Sequence, residues 1–192
     1  MSEKYSGTGS FVFDNGNEYS GEWVNGVPHG FGTMTFSNND QYEGEWENGK
    51  MHGQGEYHFF DKSTQRYLEK YVGEFKEGKR HGKGTMSYKN RSKYTGFWQN
   101  DMRTGDGIIT FANGSAFHGL WRFNEMIRGV YALPNGDRYD GEIKKGLFEG
   151  FGKYFWQDGS WFEGTWLEGK PLTGVKFDLS GIRAEFKDGN QV

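Results

Sequence analysis

The sequence predicts an all-β protein: an elongated, twisted, antiparallel sheet in a single layer, built like a solenoid from stacked β-hairpin repeats. Three observations predict this fold. The 192 residues include 32 Gly, 17 Phe, 11 Tyr and 7 Trp but only 7 Leu, 5 Ile and 7 Val, so aromatic rings must supply the buried surface. One pattern returns about every 23 residues. Pairs of Asn-Gly or Asp-Gly, which favour tight hairpin turns, recur along the chain.

Seven copies of one opening divide the chain, each with Gly at its third position. They start at Tyr19, Tyr42, Tyr71, Tyr94, Phe117, Tyr139 and Phe162. A period of this length indicates stacked supersecondary units that contact only their neighbours. We therefore predict one domain over residues 1–192. Its parts are a half repeat at 5–18, repeats at 19–41, 42–70, 71–93, 94–116, 117–138, 139–161 and 162–183, and a C-terminal cap at 184–192.

Alternation along each strand predicts two different faces. Residues two apart share a face, so Tyr19, Gly21 and Trp23 lie on one face while Ser20 and Glu22 lie on the other. Glycine has no Cβ and leaves a flat floor on which a neighbouring ring can lie. We therefore predict that the core is a face of interleaved rings and glycines, called the ring face below. The opposite side of the sheet is called the second face.

Turn residues mark the links between strands. An Asn or Asp followed by Gly supplies two residues that tolerate positive φ, as short hairpins require. We predict such turns at Asn15-Gly16, Asn25-Gly26, Asn48-Gly49, Asn113-Gly114, Asn135-Gly136 and Asp158-Gly159. The second repeat carries six extra residues within 60–70, which we predict to form a longer hairpin loop.

The full pattern is Tyr-x-Gly-Glu-Trp-x-x-Gly-x-x-His-Gly-x-Gly followed by an aromatic residue, and it is clearest in the copies that start at Tyr19, Tyr42 and Tyr71. It resembles the MORN repeat (membrane occupation and recognition nexus) over essentially the whole chain, from about Gly7 to Gly181. The copies depart from the pattern toward the C-terminus. There the His position is taken by Thr104, Ile127, Glu149 and Leu172.

No pattern in the chain indicates catalysis. There is no cysteine, and the start MSEKYSGTGS carries no apolar signal segment, so we expect a cytoplasmic or nuclear protein without disulfides. His29, His52 and His81 recur on successive hairpins about 10 Å apart, too far to share one ion. We predict no metal site and a structural role for each imidazole as a partner of a backbone group. Repeated glutamates such as Glu22 and Glu45 are also predicted to be structural, so we expect no enzyme activity, cofactor or nucleic-acid ligand.

The second face changes character along the chain. In the first repeats its residues are polar, as at Ser20, Glu43 and Gln54, whereas from the fourth repeat they turn apolar. An uncovered apolar surface often marks an interaction site; alternatively, the twist of the ribbon or the cap covers it. The predicted protein-binding residues are Phe97, Ile108, Leu120, Phe151, Phe155 and Leu167.

A modest basic stretch lies in the middle of a chain whose net charge is −3. It could attract anionic phospholipids or an acidic protein, or it could be a solvated hairpin edge that keeps the sheet soluble. Its residues are Lys76, Lys79, Arg80, Lys83, Lys89, Arg91, Lys93 and Arg103.

The family resemblance implies a function without catalysis. Proteins of this family look like scaffolds that link cytoskeletal structures to other proteins or membranes, and short members are often parts of cilia, flagella or axonemes. We therefore predict a scaffold that binds a partner peptide or helix on its sheet surface. The alternative is a peripheral membrane protein that binds phosphoinositides through the basic stretch. A targeting domain of an enzyme is less favoured because only repeats are present, and homodimerisation through an edge strand or end to end stays open.

Overall fold

A computed structural model describes residues 5–191. The chain divides into two compact units, the first ending at Met102 and the second beginning at Arg103. The strands of the first unit are β1 (Gly7–Val12), β2 (Glu18–Val24), β3 (Val27–Thr35), β4 (Gln41–Glu47), β5 (Lys50–Asp61), β6 (Arg66–Lys76), β7 (Lys79–Ser87) and β8 (Lys93–Gln99). Strand β9 (Met102–Thr110) starts at the boundary. It is followed by β10 (Ala116–Arg122), β11 (Glu125–Ala132), β12 (Arg138–Lys144), β13 (Leu147–Phe155), β14 (Trp161–Leu167), β15 (Lys170–Phe177), β16 (Arg183–Lys187) and β17 (Asn190–Gln191).

Both units are antiparallel sheets in which chain neighbours are also spatial neighbours. In the first unit, every strand from β2 to β7 pairs with the strand before it and the strand after it. In the second unit, the same holds from β10 to β16. The predicted all-β fold of successive antiparallel hairpins is therefore confirmed.

A ladder of glycines crosses each sheet. In the first unit, glycine faces glycine across every strand pair, from Gly9 opposite Gly21 to Gly84 opposite Gly96. In the second unit, the ladder runs from Gly107 to Gly174. The ladder leaves space that the rings fill, since a Cβ added to Gly32 would lie only 2.2 Å from the hydroxyl oxygen of Tyr19. The expectation that rings lie over glycine floors is confirmed.

Rings of successive repeats pack edge to face above this floor in the first unit. The Tyr42 ring lies 5.2 Å from Trp46 of its own repeat and 4.9 Å from Phe75 of the next repeat, at angles of 85° and 79°. Edge-to-face contacts are a preferred aromatic arrangement. The Trp46 Nε1 donates a hydrogen bond of 3.0 Å to the carbonyl oxygen of Gly32. Each ring therefore ties its repeat to the next.

The second unit keeps the edge-to-face contact between repeats, as between Tyr139 and Trp166 at 5.3 Å and 83°, and adds a parallel stack. Phe148 stacks on Tyr139 with a centroid distance of 3.9 Å and an angle of 11°. At the end of the unit, Phe186 of β16 packs edge to face on Phe162 at 5.5 Å. Phe186 thereby takes the place that a tryptophan of a further repeat would occupy.

The turns correct part of the turn prediction. Asn25-Gly26 and Asn48-Gly49 have positive φ at both residues, as predicted. At the other four predicted pairs, only the glycine has positive φ, and the preceding Asn or Asp side chain accepts a backbone N–H two residues on instead. These acceptors are Asn15, Asn113, Asn135 and Asp158.

The extra residues of the second repeat also differ from the prediction. They lengthen the hairpin strands β5 and β6 to 12 and 11 residues instead of forming a long loop. Register pairing continues as far as Asp61 opposite Arg66. The predicted longer loop is therefore wrong, because the added residues find backbone partners across the hairpin.

Candidate protein-binding surface

The repeated glutamates and tyrosines hold each hairpin together. The Glu22 carboxylate accepts the backbone N–H of Phe31 at 2.9 Å, and Glu45 and Glu74 accept the equivalent N–H groups of Gln54 and Lys83 at 2.8 Å. The structural role predicted for these glutamates is confirmed.

The tyrosine of the opening bonds to its own repeat in the same way. The Tyr19 hydroxyl donates to the carbonyl oxygen of Glu22 at 2.9 Å. Burial, together with the nearby Glu22 charge, raises the pKa of Tyr19 to about 12. These groups are therefore part of the framework and are not candidates for binding a ligand.

The histidines differ from the prediction. Their backbone carbonyls, not their rings, take part in the repeat, since the tyrosine hydroxyl lies 3.4 Å from His29 O, 3.2 Å from His52 O and 3.4 Å from His81 O. The Nδ1 atom of His29 is buried without a hydrogen-bond partner, and the Nδ1 atom of His52 faces the Glu47 carboxylate and not a backbone group. The expectation that each imidazole bonds a backbone group is therefore wrong for His29 and His52 at Nδ1.

One histidine has two carboxylates beside it. His52, Glu47 and Glu77 each offer an atom within 4.8 Å of the other two, and His52 Nδ1 lies 3.1 Å from the Glu47 carboxylate. The sequence reasoning compared only histidines on successive hairpins and did not consider this group. The Glu77 carboxylate is already ion-paired with the Lys50 ammonium.

The six residues predicted to bind protein fall into separate groups. Phe97 is on β8 of the first unit, and Lys83 lies over its ring at 5.6 Å. In the second unit, Ile108 and Leu120 lie on the adjacent strands β9 and β10. Phe151, Phe155 and Leu167 lie on the adjacent strands β13 and β14. Strands β11 and β12 separate these two groups within the second unit.

The second face was predicted to be polar in the first repeats and apolar from the fourth repeat, and this contrast is only partly present. Phe31 of the first unit lies opposite Glu45 on the second face and is 53% exposed, the same fraction as Phe151. Val72 of the first unit is also exposed. Apolar residues on the second face therefore begin before the fourth repeat.

A row of side chains on the second face of the second unit forms the most distinctive surface. Strand register places five residues directly opposite one another across β12 to β16: Arg138, Phe155, Trp161, Phe177 and Arg183. The Arg138 guanidinium carbon lies 4.3 Å from the centre of the Phe155 ring, and the Arg183 carbon lies 5.5 Å from that of Phe177. Trp161 and Phe177 stack at 4.0 Å with an angle of 17°. We call this row the Arg–aromatic ladder.

The repeat itself does not require this ladder. The equivalent row of the first unit begins with Val12 and is otherwise polar, with Glu18, Thr35, Gln41, His58, Lys70, Ser87 and Lys93. Each unit is built from the same repeat, yet phenyl and indole rings occupy this row only in the second. The ladder is therefore an addition to the framework.

Of the ladder residues, sequence reasoning found only Phe155. It searched fixed positions of the repeat, whereas Trp161 precedes the opening Phe162 and Phe177 ends the second strand of the last repeat. Alternation along the strands carries a signal that could have found them, because Trp161 must point away from the buried Phe162. Their meeting across strands depends on register.

Several residues of the basic stretch have partners within the fold. Arg80 Nε lies 3.0 Å from Asp101 Oδ1, and its guanidinium carbon lies 4.6 Å from the centre of the Trp98 ring. Arg103 contacts the Asn124 side chain and lies 4.4 Å from the Trp121 ring centre.

Other basic side chains of this stretch remain exposed. Lys89 is exposed but is ion-paired with Asp61. Lys76 and Lys79 are exposed and face each other across the β6–β7 hairpin. Lys83 and Arg91 are exposed as well. Among the described residues, no helix is long and apolar enough to span a membrane.

The sheet of tandem hairpins and its exposed side-chain ladder define a β-repeat protein of the kind that presents an extended surface. The MORN repeat profile matches residues 19–41, 42–64, 71–93, 94–116 and 139–161. The chain therefore belongs to the MORN repeat family. No curated protein sequence matches it.

Comparison with solved structures finds matches at low sequence identity. The TCP domain of Drosophila melanogaster SAS-4 (dCPAP), solved in complex with a proline-rich motif of Ana2 (dSTIL), is 11% identical with a TM-score of 0.52, over 94% of this chain and 90% of that one. The TCP10 domain of Danio rerio CPAP, in complex with a STIL peptide, is 13% identical with a TM-score of 0.42, over 95% and 91%. The CPAP G-box domain is 14% identical with a TM-score of 0.43, over 97% of both chains.

Proposed function

We propose that this protein is a non-enzymatic scaffold that binds a segment of a partner protein on the second face of its second unit. The observation that carries the proposal is the apolar surface left open on β13 and β14, where Phe151 is 53% and Leu167 is 50% exposed. Uncovered apolar surface of this kind is typical of interaction sites. The SAS-4 domain, which has a similar fold, was solved in complex with a motif of Ana2, and this supports a peptide as the partner here.

The setting we propose is cytoskeletal, in an axoneme of a cilium or flagellum. Two considerations support this setting. The chain belongs to the MORN repeat family, whose short members are often parts of such assemblies. The SAS-4 domain, which has a similar fold, was solved with a motif of Ana2. A repeat sheet suits this role because it offers a long surface without a catalytic cleft.

Substitution of the second face is expected to remove the partner. Phe151→Ser with Leu167→Thr should lower partner recovery in quantitative affinity capture at least about tenfold, since apolar anchors dominate interface energies. The matched control is Phe31→Ser, because Phe31 holds the equivalent Gly-x-Gly position in the first unit and is equally exposed. Far-UV circular dichroism should be unchanged in both. If the control and the double variant lose the same proteins, the second unit is not the binding surface.

Anionic lipid is the second candidate ligand, because Lys76 and Lys79 face each other exposed across a hairpin. Like charges directly opposite one another destabilise a sheet, and an anionic partner would relieve this. Each basic residue near a membrane contributes only about 1 kcal/mol, and Arg80, Lys89 and Arg103 are already engaged. We therefore expect no co-sedimentation with phosphatidylserine or phosphoinositide vesicles at about 0.15 M salt. Binding that weakens with salt and is lost in Lys76→Gln/Lys79→Gln would favour the lipid candidate instead.

A further inference from the structure

The Arg–aromatic ladder offers side chains but little backbone. Strands β12 to β15 are each paired on both sides, and β16 pairs with β15 and β17. The backbone N–H and C=O groups of β12 to β15 are therefore used within the sheet, whereas β16 is paired on its outer side only at Phe186 and Lys187. A ligand that lies on this face across the strands cannot add as a further strand. A segment that binds here must do so through its own side chains and must not need backbone partners.

The exposed chemistry of the ladder is aromatic at its centre, where the Lys153 ammonium, ion-paired with Glu163, lies 5.4 Å from the centre of the Trp161 ring, and it is cationic at both ends. Phe155, Trp161 and Phe177 are half-buried, whereas Arg138 and Arg183 are exposed. Neither guanidinium has an ion-pair partner among residues 5–191. Leu179 and Ile182 lie in the turn between β15 and β16, beside the Arg183 end of the ladder, and are 77% and 67% exposed. An occupant therefore needs apolar groups in the middle and acidic groups at its ends.

The spacing of the ladder selects the conformation of that occupant. Its five positions lie on adjacent strands about 4.8 Å apart, so the ladder is about 19 Å long and every second position recurs after about 9.6 Å. A polyproline II helix repeats every three residues, or about 9.3 Å, and has no internal hydrogen bonds. Prolines at every third residue are therefore in step with alternate rungs. Aromatic-lined grooves are the usual docking sites of such segments.

We infer that the ladder binds an extended proline-rich segment in the polyproline II conformation, with acidic residues at its ends. This inference rests on the proposed function and specifies its ligand. Two prolines three residues apart pack against Phe155 and Phe177, the segment between them crosses Trp161, and the acidic residues pair with Arg138 and Arg183. About six residues cover the ladder, which is a short linear motif of a partner protein.

The test is fluorescence anisotropy with a defined probe. The probe is a fluorescein-labelled peptide of about twelve residues with proline at every third position and aspartate at both ends, and its partner peptide has every proline replaced by glycine. The full chain should bind the proline probe at least about tenfold more tightly than the glycine peptide, because the preformed helix loses less entropy on binding. Saturable binding that does not distinguish the two peptides would overturn the inference, and so would the absence of binding.

Variants place the probe on the ladder. Trp161→Ala should weaken binding at least about tenfold, and Trp161→Phe should restore it to within about threefold. Arg138→Ala/Arg183→Ala, on exposed side chains that leave the core intact, should weaken binding about fivefold and remove most of its salt dependence. The matched control is Gln41→Ala, which alters the residue equivalent to Trp161 in the first unit. Loss of binding in the control, or none in the ladder variants, would contradict the assignment.

Partner capture separates this inference from the proposed function. If the probe does not bind but Trp161→Ala and Phe151→Ser/Leu167→Thr still reduce partner recovery, the ligand is not a polyproline segment and the scaffold function stands. If the probe binds the ladder but partner recovery is unchanged in every face variant, the ligand chemistry stands and the proposed scaffold surface fails. A second copy of this chain as the occupant would appear as ladder-dependent dimers in sedimentation equilibrium and would overturn the inference.

Discussion

Replacing Gly84 by alanine is expected to lower the free energy of unfolding by about 3 kcal/mol or more. A Cβ at Gly84 would lie 2.1 Å from Tyr71 Oη and 2.4 Å from its Cζ. The Tyr71 ring cannot move away, because it is fully buried, packs against Phe75 and Trp98, and donates its hydroxyl proton to Glu74 O at 3.0 Å. The methyl group must therefore displace the ring that joins the third and fourth repeats.

A glycine that does not belong to the ladder of glycines provides the control. Gly146 has a φ of +79° and no atom within 4 Å of an added Cβ. Gly146→Ala therefore costs only the strain of the left-handed conformation, about 1 to 2 kcal/mol. Urea unfolding followed by far-UV circular dichroism measures both variants. If Gly84→Ala cost no more than Gly146→Ala, the interpretation of Gly84 as a floor for the Tyr71 ring would be wrong.

The ring face was the part of the fold that sequence could predict. Tyr19, Gly21 and Trp23 recur at one spacing, and strand alternation alone places them on one face. Facing glycines such as Gly32 and Gly44 follow once each repeat is taken as a hairpin. The register shifts within each strand pair could not be predicted from the sequence. A register shift separates Gly44 from Glu45 in the β4–β5 pair, and Gly53 with a φ of +54° lies at the shift.

The second face was harder to predict because its contacts join different strands. Phe155, Trp161 and Phe177 meet only because the register of three strands aligns them, and each register depends on the bulges and turns before it. Alternation along one strand assigns a residue to a face but not to a neighbour. Sequence reasoning therefore found exposed apolar residues without identifying which of them form one surface.

The fold is also expected to lose stability steeply above about pH 10, the value at which tyrosine ionises in an unfolded chain. Burial is the main cause that raises the pKa of Tyr19 to about 12 and raises the pKa values of Tyr42, Tyr71 and Tyr139 further. Tyr57 and Tyr154 are also shifted upward, by burial and by donating to Asp40 and Asp137. The folded state therefore keeps protons on tyrosines that the unfolded state has lost.

The sign of the effect follows from this difference in bound protons. Below pH 10 both states hold the tyrosine protons, so the stabilisation is fully present. Between pH 10 and about 12 the unfolded state binds fewer protons, and each shifted tyrosine lowers the free energy of unfolding by about 1.4 kcal/mol per pH unit. Several such tyrosines act together, so a rise of one pH unit is expected to remove on the order of 5 kcal/mol. The loss ends for each group as the pH passes its folded pKa.

Urea unfolding at a series of pH values from about 9 to about 11, with tyrosinate absorbance recorded on the same samples, measures this dependence. Tyr42→Phe isolates one group from the lysines that also titrate in this range. It should reduce the slope of stability against pH by about 1.4 kcal/mol per unit. Phenylalanine already occupies the equivalent position at Phe117 and Phe162, so the fold accepts the change.

Buried tyrosines should ionise only as the sheet unfolds, because the charged oxygen would lie against a glycine floor without water. Tyrosinate absorbance that developed fully near pH 10 while the circular dichroism stayed native would contradict this account of the ring face.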